Sequence, residues 1–380
     1  MTKTAMLEVK NTNALEALQI FIKSILKLDD IGTVLVPLHR PGEKVVMPVL
    51  ISDPDLMENA DPLAPSFPMN AAKIVSRLTR KPSGGKIAVV LRPCEIRALI
   101  ELVKLKQAHL EDVVIIGMDC LGAYTNTDYP VFAGDDPIES TQRFYRKILS
   151  GKQMTDTHVE LSSACSVCEH PVPEYADITI GLFGVDINNQ ILIESKTEKG
   201  EELIDHLNLK NAVVPSARKK TIEALMGQRE SSRDQMFAST SETTASIEKL
   251  REYLSGCVNC YNCRVACPVC YCRECVFVTD VFEHDPSQYI QWAEKKGSIT
   301  MPTDTLFYHV TRIAHMSLAC VGCGQCSNAC PNDISLMELF RTLSHRTQKA
   351  FDYEAGRSLD ENPPLSEFFE EEYANVVGIE

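Results

Sequence analysis

The sequence predicts an α/β domain followed by a second, mainly α-helical domain. Three observations carry that expectation. Two buried-strand runs, IAVVL and VVIIGM, each lead into a cysteine-bearing turn, and the first continues into a helical pattern, EIRALIELVKL. Such strand–turn–helix alternation signals an α/β sheet. The stretch RESSRDQMFASTSETTAS is polar and poor in apolar residues, and reads as a linker. Beyond it, two cysteine runs of identical spacing flank a stretch of helical pattern. The expected boundaries are an α/β domain over 1–225, a linker over 226–247, a helical domain over 248–345 and an acidic tail over 346–380.

Taken in order, residues 13–28 place Leu15, Leu18, Ile22, Ile25 and Leu26 on one stripe, which predicts a core-facing helix. GTVLVPL and KVVMPVLI flank HRPGE, whose Pro and Gly suit a hairpin turn. IAVVL is followed by a turn carrying Arg92, Pro93, Cys94 and Glu95, and VVIIGM ends at Cys120. Ligands of α/β sheets gather at the carboxyl ends of strands, so Cys94 and Cys120 are expected to face one crevice. Cys165-x-x-Cys168 precedes the strand-like ADITIG; DINNQ is a turn before ILIES; EELIDHLNL and ARKKTIEALMGQ are helical in pattern. After the linker, SQYIQWAEKKG and DTLFYHVTRIAHMSLA are helical, and ISLMELFRTL is an amphipathic segment expected to pack back. The last 30 residues are acidic and read as a solvated or partner-docking tail.

A net charge of −14 over 380 residues excludes a general nucleic-acid binder, which needs a basic face. No run approaches the ~18 apolar residues of a transmembrane span, so no direct membrane insertion is expected. The opening MTKTAMLEVKNTN lacks the charged and apolar regions of a signal peptide. These features suit a cytoplasmic protein. Fifteen cysteines in such a chain, many at Cys-x-x-Cys spacing, favour metal or redox chemistry over disulfides.

The first run reads Cys257-x2-Cys260-x2-Cys263-x3-Cys267-Pro268 and the second Cys320-x2-Cys323-x2-Cys326-x3-Cys330-Pro331. This is the bacterial ferredoxin pattern, in which three cysteines ligate one [4Fe-4S] cluster and the fourth ligates the other. Cys257, Cys260 and Cys263 are therefore expected to share a cluster with Cys330, and Cys320, Cys323 and Cys326 to share one with Cys267. Zinc ribbons also use Cys-x-x-Cys pairs, but the doubled run with proline favours iron. Cys270, Cys272 and Cys275 lie outside both runs. They read either as small apolar side chains packed beside the clusters or as a further metal site completed by His284 or a partner's cysteine. Cys94, Cys120, Cys165 and Cys168 remain, the number that one more cluster needs; buried free thiols are the bland alternative.

The long, helical spacer between the runs, with SLACVGCGQCSNACP, resembles the α-helical ferredoxin modules of heterodisulfide reductase small subunits and succinate dehydrogenase iron–sulfur subunits. LRPCEIRAL, MDCLGAY, SACSVCEH and ADITIG, within roughly residues 80–215, resemble the β subunits of coenzyme F420-reducing hydrogenases and F420-linked formate dehydrogenases. That resemblance implies an α/β flavin/iron–sulfur domain in which Cys94, Cys120, Cys165 and Cys168 hold one [4Fe-4S] cluster beside a flavin, FAD. The formate dehydrogenase branch also carries dicluster ferredoxin modules, matching residues 249–340. Two departures stand out: the family's N-terminal Gly-Gly segment has no counterpart, and Gly181-Leu182 stands where Gly-Asp is common.

The function implied is electron transfer between a hydride carrier, F420-like or nicotinamide, and partner redox subunits such as formate dehydrogenase, hydrogenase or heterodisulfide reductase. No side chain is expected to act as acid or base. Lys86 and Arg92 are candidates for a flavin phosphate or an anionic reduced ring, and Asp177, Gly181 and Gly184 for other flavin contacts. Surface charge and strand-end backbone are their structural alternatives. A flavin-free iron–sulfur adaptor and a zinc-based scaffold are the competing functions.

Overall fold

The computed structural model describes residues 3–40, 44–151 and 159–366. One eight-stranded sheet organises the first domain. Its strands are β1 (Thr4–Glu8), β2 (Ile31–His39), β3 (Val46–Ile51), β4 (Lys86–Leu91), β5 (Val113–Met118), β6 (Ile178–Gly181), β7 (Gln190–Ser195) and β8 (Lys210–Asn211). They run in the order β3-β2-β4-β5-β6-β7-β1-β8. The centre, β2, β4, β5 and β6, is parallel. β3 closes one side as the antiparallel arm of the expected hairpin, and β7, β1 and β8 extend the other side antiparallel.

The central strands are apolar on both faces because both faces are covered, as parallel sheets require. Successive residues of β4 and β5 enter different cores. Ala88, Val90, Val114 and Ile116 meet helices α1 (Ala14–Leu26), α4 (Asp128–Ala133), α5 (Pro137–Leu149) and α7 (Glu198–His206). Ile87, Val89, Leu91, Val113 and Ile115 meet α2 (Ala72–Leu78) and α3 (Pro93–Lys104). Helix α1 buries Leu15, Leu18, Ile22, Ile25 and Leu26, the stripe its periodicity predicts. The short α6 (Ser163–Ser166) carries the start of the Cys165–Cys168 pair.

The second core continues without a break into the helical domain. Ile96 and Leu99 of α3 share a cluster with Leu254, Phe277, Tyr308 and Phe340. That domain comprises α9 (Ile247–Tyr253), α10 (Asn262–Ala266), α11 (Pro286–Lys296), α12 (Thr305–Met316), α13 (Gln325–Asn328) and α14 (Leu336–Ala350). Among the described residues, no helix is long and apolar enough to cross a membrane.

The expected linker is instead ordered. Most of 226–247 belongs to α8 (Ala217–Thr243), a helix of 27 residues that packs along α14. Its buried positions are Arg218, Arg229 and Thr240 rather than apolar residues. Its first part, ARKKTIEALMGQ, has the expected helical pattern; beyond it the buried side chains are polar and carry no apolar stripe, so hydrophobic periodicity does not reveal the rest.

The tail reading also changes. Residues 346–350 complete α14, and the chain then docks onto α3. Glu101, 1 % exposed, accepts the Tyr353 hydroxyl at 2.7 Å and the Gly356 amide at 2.7 Å, and pairs with Lys104 Nζ at 2.8 Å. Gly356 has φ +75° and sits where a Cβ would overlap Arg97. The rest of the acidic tail, from 367, lies outside the described residues.

Removing the Glu101 carboxylate leaves the buried Lys104 ammonium, among the described residues, with only the Tyr353 hydroxyl and ring as partners, and the Gly356 amide with none of its own. Glu101→Ala is expected to cost about 3–5 kcal/mol in urea denaturation, the range for breaking a buried pair from one side. Limited proteolysis should then cut within 351–366 faster than in the wild-type chain.

Candidate iron–sulfur sites

Two strand ends and one short helix assemble the first thiol group. Pro93 opens α3 and Cys94 follows it in the first turn. Glu95 fixes this turn, accepting the Arg92 amide at 2.9 Å and the Ala71 amide at 2.7 Å. Cys120 sits just past β5, its amide donating to Pro171 O at 2.7 Å. Gly122, at φ +103°, lets the chain pass Leu161 and Cys165. Cys94, Cys120, Cys165 and Cys168 line one small cavity, joined there by Cys323 of the second run. Arg92 and Arg229 line it too.

The donor set suits an iron–sulfur cluster: four soft sulfurs, closely grouped and largely shielded from water. Burial pushes the Cys94 thiol well up, and Glu95, Cys120, Cys323 and Cys168 add to it. Burial raises the Cys120 thiol to about 11 against the opposing pull of Arg92, with Cys165 and Cys168 contributing. Iron would replace these retained protons, since metal ligation requires thiolate. Among the described residues, no group of three or more His, Cys, Asp or Glu side chains is arranged to hold a metal ion directly.

Asp119, fully buried beside Cys120, has no sequence context that singles it out. It takes a bidentate contact from Arg218, at 2.6 and 3.0 Å, and accepts the Leu182 and Phe183 amides. This links the Cys120 strand end to the start of α8.

The residues expected to contact flavin do not assemble. Lys86 and Asp177 stand at the amino ends of β4 and β6, roughly 17 Å of strand from the thiol end for β4. Lys86 pairs with Asp30 at 2.6 Å. Asp177 accepts the Ile115 amide and the Thr197 hydroxyl. Gly181 and Gly184 make room for Arg218: a Cβ at Gly181 would lie 3.0 Å from its guanidinium, and one at Gly184 would strike its backbone. Arg92 alone reaches the thiol cavity, donating to Ala64 O at 2.8 Å with its guanidinium 5.0 Å from the Phe67 ring centre.

In the helical domain, α10 packs against α13 and the two runs face each other. Cys257 lies within electrostatic reach of Cys263, Cys260 and Cys330. Cys326 lies within reach of Cys320, Cys267 and Cys323. The fourth cysteine of each run is thus beside the other run. Burial pushes Cys267 up to about 12 despite Arg312, with Cys320 and Cys270 adding to it. Helix α12 turns three polar side chains onto the first run. The Tyr308 hydroxyl is 3.4 Å from Cys263 Sγ, His309 Nε2 is 3.3 Å from Cys257 Sγ, and Arg312 Nη1 donates to Cys263 Sγ at 3.0 Å. Burial, reinforced by Arg312, lowers His309 to about 4, so its ring is neutral. Sequence reading misses these contacts; the i, i+1, i+4 spacing of Tyr308, His309 and Arg312 in a helical spacer is the available signal.

The extra cysteines differ in exposure, with Cys272 within electrostatic reach of Cys270. Cys270 and Cys275 are partly buried against the second core, while Cys272 is exposed. Lys73 Nζ donates to Val265 O at 2.9 Å beside Cys270. His284 packs on Tyr289 and Trp292.

Gly324 joins the two domains. Its φ is +78°, and a Cβ there would overlap that of Ala164 on α6. Gln325 and Asn328 both donate to Phe67 O, at 2.8 and 3.1 Å. These contacts set the second run against the sheet-end thiols.

Residues 84–217 match the family model for the C-terminal part of the coenzyme F420 hydrogenase/dehydrogenase beta subunit. The first domain carries this β-subunit domain. Residues 253–334 match a 4Fe-4S dicluster domain. The F420-dependent formate dehydrogenase subunit beta of Methanocaldococcus jannaschii is 27 % identical, over 86 % of this chain and 88 % of its own. The F420-dependent formate dehydrogenase 1 subunit beta of Methanococcus maripaludis is 29 % identical, over 73 % and 75 %. A chain of the F420-reducing [NiFe] hydrogenase complex from Methanosarcina barkeri superposes with a TM-score of 0.45 at 13 % identity, over 65 % of this chain and 94 % of that one. The β-subunit domain here thus precedes a dicluster module, in a chain that aligns with formate dehydrogenase beta subunits over most of its length.

The raised thiols give a pH dependence to the metal-free chain. A thiol whose folded pKa exceeds its unfolded value of about 9 stabilises the fold fully below that value and loses the contribution as pH rises through the folded one. With Cys120 at about 11 and Cys267 at about 12, the urea midpoint of the anaerobic metal-free chain should hold below pH 8 and fall above pH 9. The iron-loaded chain should not show that fall.

Proposed function

We propose that this chain is an electron-transferring flavin/iron–sulfur subunit of an anaerobic oxidoreductase complex. It would pass electrons between a hydride carrier, F420 or a nicotinamide, and a partner such as formate dehydrogenase, hydrogenase or heterodisulfide reductase. The observation that carries the reading is the cavity where Cys94, Cys120, Cys165 and Cys168 meet Cys323. It puts a third thiol set directly against the dicluster module, which an isolated ferredoxin lacks.

When bound, iron–sulfur clusters supply one-electron transfer and a flavin supplies the exchange between hydride and single electrons. The chain's own residues set the order of the sites. The sheet-end set abuts the Cys320–Cys323–Cys326–Cys267 set through Cys94 and Cys323. That set abuts the Cys257–Cys260–Cys263–Cys330 set around Arg312. Cys260 is exposed, so the last set reaches the surface, where a redox partner can dock. Arg92 lies at the inner end of this row and Arg312 between the outer two sets. A cleft of about 560 Å³ beside His170 and Cys320 offers room for a flavin ring; its Arg97 pairs with Glu354, and its Arg233 and Arg341 with Glu169.

The flavin-free adaptor remains the second reading. It is favoured by the commitment of Lys86, Asp177, Gly181 and Gly184 to structural contacts.

Anaerobically purified protein should contain about twelve irons and twelve sulfides per chain, for three four-iron clusters. Cys165→Ser/Cys168→Ser should lower both to about eight and leave the dicluster signal in electron paramagnetic resonance. A wild-type value of about eight would remove the sheet-end cluster and the reading with it. Acid extraction that releases a yellow chromophore supports the flavin-containing reading; a colourless extract supports the adaptor.

A further inference from the structure

Arg312 is 4 % exposed and sits in the middle of the helical domain. Among the described residues no carboxylate pairs with it. Nη1 donates to Cys263 Sγ at 3.0 Å and Nη2 to Cys263 O at 3.2 Å, while Nε has no hydrogen-bond partner. Its guanidinium carbon lies 4.6 Å from the Phe340 ring centre and 5.5 Å from that of Tyr308, so aromatic faces shield it from water. The groups around it that can carry negative charge are Cys263 of one proposed ligand set, Tyr308, and Cys267 and Cys326 of the other set.

A buried guanidinium without a counter-ion is costly and does not persist in folded proteins uncompensated. The compensation available here is the negative charge of thiolate-ligated iron–sulfur clusters. A four-thiolate [4Fe-4S] cluster is a net anion in both oxidation states, and one-electron reduction without a proton adds one further negative charge. A fixed cation beside the sulfurs therefore favours the reduced form, since charge and sulfur hydrogen bonds set cluster potentials.

We propose that Arg312 is a positioning residue for electron transfer, holding the potentials of both dicluster sites up, and that of the Cys257–Cys260–Cys263–Cys330 site most. The inference rests on the iron–sulfur reading above. The asymmetry follows from contact: Arg312 touches Cys263 directly, and Tyr308 and His309 add contacts to the same set. The outermost site is then the better electron acceptor, and electrons arriving from the sheet-end set are drawn toward exposed Cys260. The spacer between the cysteine runs thus does more than set their separation: it delivers α12, and with it the charge that ranks the two sites.

The test is an anaerobic redox titration of the full chain followed by electron paramagnetic resonance, after iron and sulfide have been counted. Arg312→Gln removes the charge, Arg312→Met removes it while suiting an apolar site of that volume, and Arg312→Lys keeps it. In Gln or Met variants that retain both dicluster sites, the reduced-to-oxidised ratio of the Cys263 site at a fixed potential should fall at least tenfold. That is a downward shift of about 59 mV for one electron. The second site should shift less, and Arg312→Lys should recover most of the difference. Wild-type potentials in a fully loaded Gln or Met variant would overturn the proposal while leaving the cluster reading intact. If only the Lys variant loads both sites, a charge requirement is upheld. If none of the three loads them, Arg312 is a packing residue and the proposal falls. A wild-type chain without the two dicluster signals would instead refute the cluster reading itself.

Discussion

The close approach of Gly324 to Ala164 is the constraint on which the arrangement of the thiols depends. A side chain at position 324 would hold the helical domain off the sheet, and a residue other than glycine would strain a backbone at φ +78°. With glycine there, α13 settles onto the carboxyl ends of the strands and its Gln325 and Asn328 converge on one carbonyl, that of Phe67. Cys323 then reaches the cavity of Cys94, Cys120, Cys165 and Cys168. With this contact in place, the sheet-end thiols stand against those of the second run, and these against the first.

The same surface is stabilised from several sides. The second face of the sheet and the helical domain share one apolar core, so the domains are joined by burial rather than by a hinge. Glu101 gathers Lys104, Tyr353 and Gly356 and so fastens the segment after α14 to α3. On the opposite side, Asp119 and Arg218 tie the Cys120 strand end to α8, and Arg229 of the same helix donates to Cys168 O. Buried charge recurs wherever thiols collect: Arg92 at the sheet end and Arg312 between the two runs. Crowded thiols that resist ionisation, set among buried cations, form a site whose charges balance only when the sulfurs are anionic.

Much of this is legible residue by residue. The α1 stripe, the β2–β3 hairpin, and β4 and β5 with their cysteine-bearing ends follow from periods of 3.6 and 2 and from turn chemistry. What escapes is polar. The first part of α8, ARKKTIEALMGQ, reads as helical, but the rest buries Arg229 and Thr240, which a hydrophobic pattern scores as solvent-facing, and so it reads as a linker. Residues 351–357 read as part of an acidic tail because their anchor, Glu101, lies far back in the chain, 252 positions before Tyr353. Gly181, Gly184 and Asp177 resemble ligand contacts because small and acidic residues at strand ends often are. Here they accommodate Arg218 or satisfy buried amides and hydroxyls.

The sequence alone determined the local chemistry: the two matched runs with their shared spacing, the proline after the fourth cysteine of each, and the cysteines at strand ends. These are short-range properties, fixed by spacing along a few residues of backbone. Only the tertiary structure decided which thiol group neighbours which, that Arg312 stands between two of them, and that four of the five residues expected at a flavin are spent elsewhere. Those facts depend on which side chains meet across a buried surface. Packing and charge compensation there select among partners that lie far apart in the chain and leave no periodic trace in it.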